Sequence, residues 1–567
     1  MSLSTLTKNV PQIFNRKGPM DAGLKMFSSS EESGGLEKWQ IALLLGSPIV
    51  VGAAAYYFYF RKSSDNNDEK HTHLSKSRKN VTPKEKPIPT DPHLKAIYYK
   101  EQGNQFYRRG AYEQAIEAYS QAITCCPDGE VTDLSTFYQN IAACYQMLKN
   151  HEKVIEECSK AIKLNKKYTK ALFRRARAYE AVDKLTDALN DLTVVNILDK
   201  FSNKNALLET DQVLKRLSKI KAEEYFGNKS PKMPSKYHIK TQFTSYRRNP
   251  FPSDIEASEE GLQTFLESLE EKKEEEGVAA KIQLLKGTIE YIKGDIKKAT
   301  AELQPILDME NVENDIKVNA LIKLGKIKVQ SLEETEEVKG AALRCFEKAI
   351  EIDPDNQDIY INRAQFYIII GKIEDGLADL EKCCELDPDY PSAVSQKLYV
   401  QFRSAVELQN RERAQETIEE FEKATERFPK SSEVFSLYAQ ALMEQFEFEK
   451  AEKMFQKASE SDPEDASIYV HRALLHVNSK LDFEKAKELI NNALKIDNKC
   501  QFAYEMLGTI EGQQGNLKKA IEYFDQAIEI ANSLADCIHL FSMKEAAMAQ
   551  LRADEVLNSR SNADVQK

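Results

Sequence analysis

The stretch KEQGNQFYRRGAYEQAIEAYSQAITCCP, Lys100 to Pro127, decides how the rest of the chain is read. Counted from Gly103, it places Phe106 at +3, Ala115 at +12, Tyr119 at +16, Ala122 at +19 and Pro127 at +24. The same ruler laid from Ala364 meets Tyr367, Gly376, Leu380, Cys383 and Pro388. From Ala439 it meets Ala451, Phe455, Ala458 and Pro463, and from Gly508 it meets Ala520, Phe524 and Ala527. Small residues at the first and third landmarks let two helices approach closely. Aromatic or leucine residues at the others fill the gap between neighbouring units. The proline ends the second helix, because it lacks a donor and clashes with the preceding turn.

Pro354 and Pro388 are 34 residues apart, as are Pro429 and Pro463. That period, with two antiparallel helices per unit, is the tetratricopeptide repeat (TPR). Weaker units fill the gaps. One starts near Leu134 with Ala142, Tyr145 and Ala161; others carry Ala176 and Ala188, Gly287 and Ala299, Gly325 and Ala342, Phe421 and Ala424, or Ala486 and Ala493. The expected fold is an all-α tetratricopeptide-repeat superhelix of about ten repeats in two domains. Three repeats fall in 94–225 and about seven in 276–567, with a capping helix at the end of the second set. The stretch EEYFGNKSPKMPSKYHIKTQFTSYRRNPFPSD has no helical period, the acidic stretch EASEEGLQTFLESLEEKKEEEG follows it, and residues 226–275 are read as a linker.

Before the repeats, residues 41–60, IALLLGSPIVVGAAAYYFYF, carry no charge. At about 1.5 Å per residue they span a hydrocarbon core of about 30 Å. Trp39 and the Tyr56–Tyr59 cluster suit the two interfaces. The flank after the span holds Arg61, Lys62, Lys70, Lys76, Arg78 and Lys79, against Lys25 and Lys38 before it, which places the bulk of the chain in the cytosol. The reading is an N-terminal single-pass transmembrane helix after a disordered tail, 1–40, and before a polar tether, 61–93. A moderately apolar span with a basic flank of this kind fits an outer mitochondrial membrane anchor; the endoplasmic reticulum is the alternative.

Other classes are excluded by what 567 residues do not contain. A net charge of -11 argues against nucleic acid as a partner. The nine cysteines form no CxxC pair and the eight histidines no HExxH, so neither a metal site nor a disulfide framework is expected. Without a phosphate loop or a nucleophile elbow, no enzyme and no cofactor are expected.

First-helix residues of stacked repeats line a concave groove. With the small landmark numbered 8, Lys100 and Asn104 fall at positions 5 and 9 of the first unit, Asn140 at 6 of the second, and Lys170 and Arg174 at 2 and 6 of the third. These positions project to one side of their helices. Five hydrogen-bond donors without an intervening carboxylate suit an anion, such as the carboxylate that ends a peptide.

The arrangement resembles the dicarboxylate clamp of TPR co-chaperones. By that resemblance Lys100, Asn104, Asn140, Lys170 and Arg174 grip the terminal Glu-Glu-Val-Asp peptide of the cytosolic seventy- and ninety-kilodalton heat-shock chaperones. Anchor, tether, clamp and long C-terminal array together are similar to the animal TPR import receptors of the outer mitochondrial membrane. DLSTFYQNIAACY, YTKALFRRARAYE, KMPSKYHIKTQF and IDNKCQFAYEMLGTIEGQQGNLKKAI carry the likeness. It implies a receptor for chaperone-bound hydrophobic precursors such as inner-membrane carriers. The precursors would be taken up in the C-terminal groove and passed to other translocase subunits. The rival reading is a membrane-anchored co-chaperone of another organelle, such as the endoplasmic reticulum.

Overall fold

The computed structural model describes residues 88–329 and 336–558. The expected tail and anchor, and most of the tether, lie outside the described residues. No helix among those described is long and apolar enough to cross a membrane. The described residues form twenty-four α-helices and no strand. They divide into two compact units, one holding 222–540 and the other the residues up to 221 together with those from 541 onward.

In the smaller unit three helix pairs follow one another: α1 (Pro92–Arg108) with α2 (Tyr112–Cys125), α3 (Val131–Met147) with α4 (His151–Leu164), and α5 (Thr169–Ala181) with α6 (Leu185–Leu198). Their starts are set locally. Asp91 caps α1, its carboxylate accepting from the Leu94 amide at 2.9 Å with Pro92 at the first helical position, and Asn150 caps α4. The repeat landmarks explain the pairing. A Cβ on Gly103 would stand 2.6 Å from the Tyr119 ring, so only glycine lets α2 lie this close to α1. The landmark at +16 therefore packs inside its own repeat as well as between repeats, where Tyr119 shares a core with Ile141 and Cys144 of α3. Gly508 faces Phe524 in the same way, at 2.5 Å.

After α6 comes the long α7 (Lys204–Asn228), within which the first division between units falls. The larger unit opens with α8 (Lys236–Thr244) and α9 (Glu259–Glu270). Seven pairs follow: α10 (Val278–Lys293) and α11 (Ile296–Leu303), α12 (Asn314–Val329) and α13 (Glu336–Ile352), α14 (Gln357–Ile369) and α15 (Ile373–Leu386), α16 (Pro391–Glu407) and α17 (Arg411–Arg427), α18 (Ser432–Glu444) and α19 (Phe448–Ser461), α20 (Ala466–Lys480) and α21 (Phe483–Ile496), α22 (Gln501–Gln513) and α23 (Leu517–Ile530). In each pair whose turn is described, the chain reverses through a residue in left-handed conformation. Glycine takes that place at 110, 294, 371 and 515, but Lys149, Asp183, Gln409, Phe446 and Leu481 adopt it as well.

Residues 226–275 are not the plain linker that the sequence reading expects. Ile239, Phe243, Tyr246, Phe251, Leu262 and Leu266 are buried in the core of the larger unit. Around α8 the polar residues meet the turns between successive repeats. Arg248 pairs with Asp315 at 2.9 Å and Asp353 at 2.7 Å, and Arg247 donates to Asp387 at 2.8 Å. The Arg247 and Arg248 amides donate to the buried Asp358. Tyr237 donates to Asp462, Lys240 to Glu464, and Lys499 to the Met233 carbonyl. Lys229 reaches the carbonyls of Ile528 and Ala531. The segment is thus a strap stapling the edge of the repeat stack, and outside α9 it lacks helical period because its contacts follow the spacing of the turns it crosses.

The last helix, α24 (Leu534–Asn558), contains the second division. Beyond residue 540 it belongs to the smaller unit, where Ala549 packs with Leu189, Val213 and Leu217, and Ala553 with Val194 and Ala206. That part of the helix caps the three-repeat unit, whereas the sequence pattern assigned the cap to the longer array.

Candidate functional site

The smaller unit's first helices, α1, α3 and α5, carry the five candidate residues. Lys100 and Asn104 lie one turn apart on α1, Asn140 on α3, and Lys170 and Arg174 one turn apart on α5. None is buried in the core; Lys170 is exposed and the others are half-buried.

Asn104 is oriented from behind. The Tyr119 hydroxyl donates to its Oδ1 at 2.7 Å. Burial pushes the Tyr119 phenol well above its ordinary value, so it stays protonated and donates. With Oδ1 engaged, Nδ2 is the group Asn104 can offer a ligand. The landmark tyrosine therefore has two tasks, filling the gap left by Gly103 and fixing its neighbour.

Arg174 bridges α5 to α3. Its Nε donates to Gln146 Oε1 at 2.8 Å and its Nη1 to the Gln139 carbonyl at 3.3 Å. Tyr168 adds a bond to Gln139 Oε1 at 3.3 Å. Both partners of Arg174 are neutral, so its charge is not cancelled. Its field reaches Tyr107 on α1 and Cys144 on α3, favouring their ionised forms against burial. Burial wins at Cys144 and Cys158, whose thiols are pushed up to about 12, making both neutral packing groups.

Lys100 is placed differently. Its Nζ lies over the Phe137 ring, 5.9 Å from the centroid, and 3.8 Å from Asp133 Oδ1. The other oxygen of Asp133 is 2.9 Å from His93 Nε2. The donor set read from the sequence thus has a carboxylate of the chain itself at one end. Gln139, Gln146 and Asp133 went unnoticed in the sequence, although Asp133 and Asn140 are seven apart and so lie on one face of α3.

Next to Arg174, Arg175 points the other way. It forms a two-pronged pair with Asp191 of α6 at 2.7 and 2.8 Å, and a third bond to Ser159 of α4 at 3.0 Å. Arg363 and Asp379 repeat the pair in the larger unit at 2.8 and 2.7 Å.

In the larger unit a ladder of buried and half-buried polar residues links the first helices of successive repeats. Lys326 of α12 donates to Asn362 of α14 at 3.0 Å. Gln365 of α14 donates to Gln396 of α16, and Gln396 to Glu433 of α18. Further along, Tyr399 and Arg403 both donate to Glu444. Among the described residues Arg403 Nε, Gln440 Oε1 and His471 Nδ1 are buried without a hydrogen-bond partner.

Stacked antiparallel helix pairs of this length and order define a tetratricopeptide-repeat protein. Models of the tetratricopeptide repeat match residues 345–378, 409–474 and 503–534. The chain is 35% identical to the human mitochondrial import receptor subunit TOM70 over 91% of its own length and 92% of that protein's, and equally close to the rat one. It belongs to the TOM70 family of mitochondrial import receptor subunits. The corresponding protein of Saccharomyces cerevisiae is 24% identical over 82% of the chain and 81% of its own length. A crystal structure of yeast Tom70 aligns with a TM-score of 0.44 at 24% identity, covering 83% of this chain and 99% of that one.

Proposed function

We propose that the chain is an outer-membrane import receptor that docks chaperone-bound hydrophobic precursors through the α1–α3–α5 face, gripping the acidic carboxyl end of the seventy- and ninety-kilodalton chaperones. Lys100, Asn104, Asn140, Lys170 and Arg174 supply the donors. The observation that carries this reading is Arg174, held across α5 and α3 by neutral partners only, so that its charge remains for an anion. A likeness of sequence supports it: residues of this chain are 33% identical to a yeast Hsp70/Hsp90 co-chaperone over 24% of the chain and 34% of that protein. The family membership favours the mitochondrion over another organelle. Residues 41–60 would be the single-pass anchor, and the larger unit, with its polar ladder, would receive the precursor before other translocase subunits take it. The chain acts as a receptor, with no reaction of its own and no cofactor.

Each charge-assisted bond contributes on the order of 1.5–3 kcal/mol, less where water competes. A short peptide held by a few of them binds in the micromolar range, which suits hand-over. The test is calorimetry with a peptide ending in Glu-Glu-Val-Asp. Arg174→Ala is expected to abolish binding while far-ultraviolet dichroism stays unchanged. Equal affinity in the variant would refute the clamp.

A further inference from the structure

The Asp133 carboxylate faces Lys100 inside the groove and is itself tied to His93. We infer that Asp133 is a resident competitor for the clamp, standing where a ligand's carboxylate would approach Lys100 and setting how tightly the acidic peptide is held. The inference rests on the clamp reading above and concerns its regulation.

The geometry makes the two ends of the groove unequal. At 3.8 Å the Asp133–Lys100 contact is a loose ion pair and too long for a hydrogen bond. Lys100 therefore keeps its three donors but loses part of its field. Both side chains are about a quarter exposed, at 29% and 25%, so the pair is neither fully screened nor dry. Arg174, at the other end, has a glutamine and a main-chain carbonyl as partners.

His93 decides how much of the Asp133 charge Lys100 feels. The groups facing His93 are acidic: Asp91 at the cap of its own helix, and Glu130 and Asp133 at the start of α3. The hydrogen bond to Asp133 comes first among the influences that raise the imidazole above its ordinary value. An imidazole so placed draws the carboxylate away from Lys100. Removing the imidazole leaves the whole charge to the lysine, whereas removing the charge leaves the lysine to the ligand. The two substitutions should therefore act in opposite directions, which a general loosening of the fold would not produce.

The experiment is calorimetry on the full chain with a peptide ending in Glu-Glu-Val-Asp. Asp133→Asn is expected to bind about two- to fivefold more tightly, the range a partly exposed ion pair allows, and His93→Gln more weakly by a similar factor. The gain from Asp133→Asn should vanish in a Lys100→Ala background, which separates competition for Lys100 from a long-range field effect. Unfolding curves of each variant show that the fold is kept. If Arg174→Ala abolishes binding but Asp133→Asn leaves it unchanged or weaker, the competitor role is wrong and the clamp stands. If Asp133→Asn gains equally with and without Lys100, Asp133 acts on the peptide directly and the inference also fails. If Arg174→Ala has no effect, the clamp itself is wrong.

Discussion

Two adjacent arginines give a sharp test, because they should fail for opposite reasons. Arg175 makes three hydrogen bonds, two of them parallel to Asp191, whose side chain is only 8% exposed. Replacing Arg175 with alanine leaves that carboxylate buried and without its counter-charge. Breaking a buried pair from one side costs about 3–5 kcal/mol, most of it the desolvation of the charge left behind. A single domain has only about 5–15 kcal/mol in total, so the smaller unit should lose much of its margin. The double variant Arg175→Leu/Asp191→Leu removes both charges and should be far milder, near neutral if the leucines pack. Urea unfolding of the wild type and both variants measures this, and far-ultraviolet dichroism at 37 °C gives a first reading. Loss of peptide binding in Arg175→Ala should follow loss of structure, while Arg174→Ala should lose binding alone. Equal destabilisation by the single and double variants would refute the argument, since the stranded charge would then carry no cost.

Two further outcomes follow from the larger unit. Leu481 ends α20 at a φ of 53° and is 62% exposed, so its side chain gains little from the left-handed turn it occupies. Leu481→Gly should raise stability by about 1 kcal/mol in chemical denaturation; a loss would mean that the leucine makes contacts worth more than its strain. Lys323 is buried beside Lys326, with Tyr246 4.6 Å from its ammonium, and burial pulls its pKa down to about 7. The unfolded chain holds that proton up to about pH 10, so between pH 7 and 9 the unfolded state binds more protons and stability should rise with pH. Lys323→Met should be more stable at pH 7 and should lose part of that rise, Lys326, with its pKa lowered to about 8, supplying the remainder.

How much of this was legible in the sequence depends on the range of the interaction involved. Gly103 and Tyr119 are sixteen residues apart and recur with the period, so pattern alone reveals the helix pair. Lys100, Asn104, Asn140, Lys170 and Arg174 could be set on one groove by counting, because each helix start fixes its face. Counting does not show which neighbours blunt a charge. Asp133 is an acceptor on the same face of α3 as Asn140, and a count of donors does not reveal it. The strap was illegible for another reason: Arg248 finds Asp353, and Lys229 finds Ala531, through spacing between turns that no local period records. The sequence cannot assign the end of α24 to either stack, because an alanine-rich helix carries the same pattern whichever stack it covers.

That final helix has a consequence for the order in which the protein is made. Ala553 leaves the ribosome about 350 residues after Ala206, with which it shares a buried core. At about 5–20 residues per second the earliest-made unit waits roughly 20–70 s for its last helix. During that time Leu189, Val213 and Leu217 lack their partner Ala549. A nascent chain stalled before residue 541 should accordingly show protease-sensitive repeats at its N-terminal end, although every residue of those repeats has already been translated.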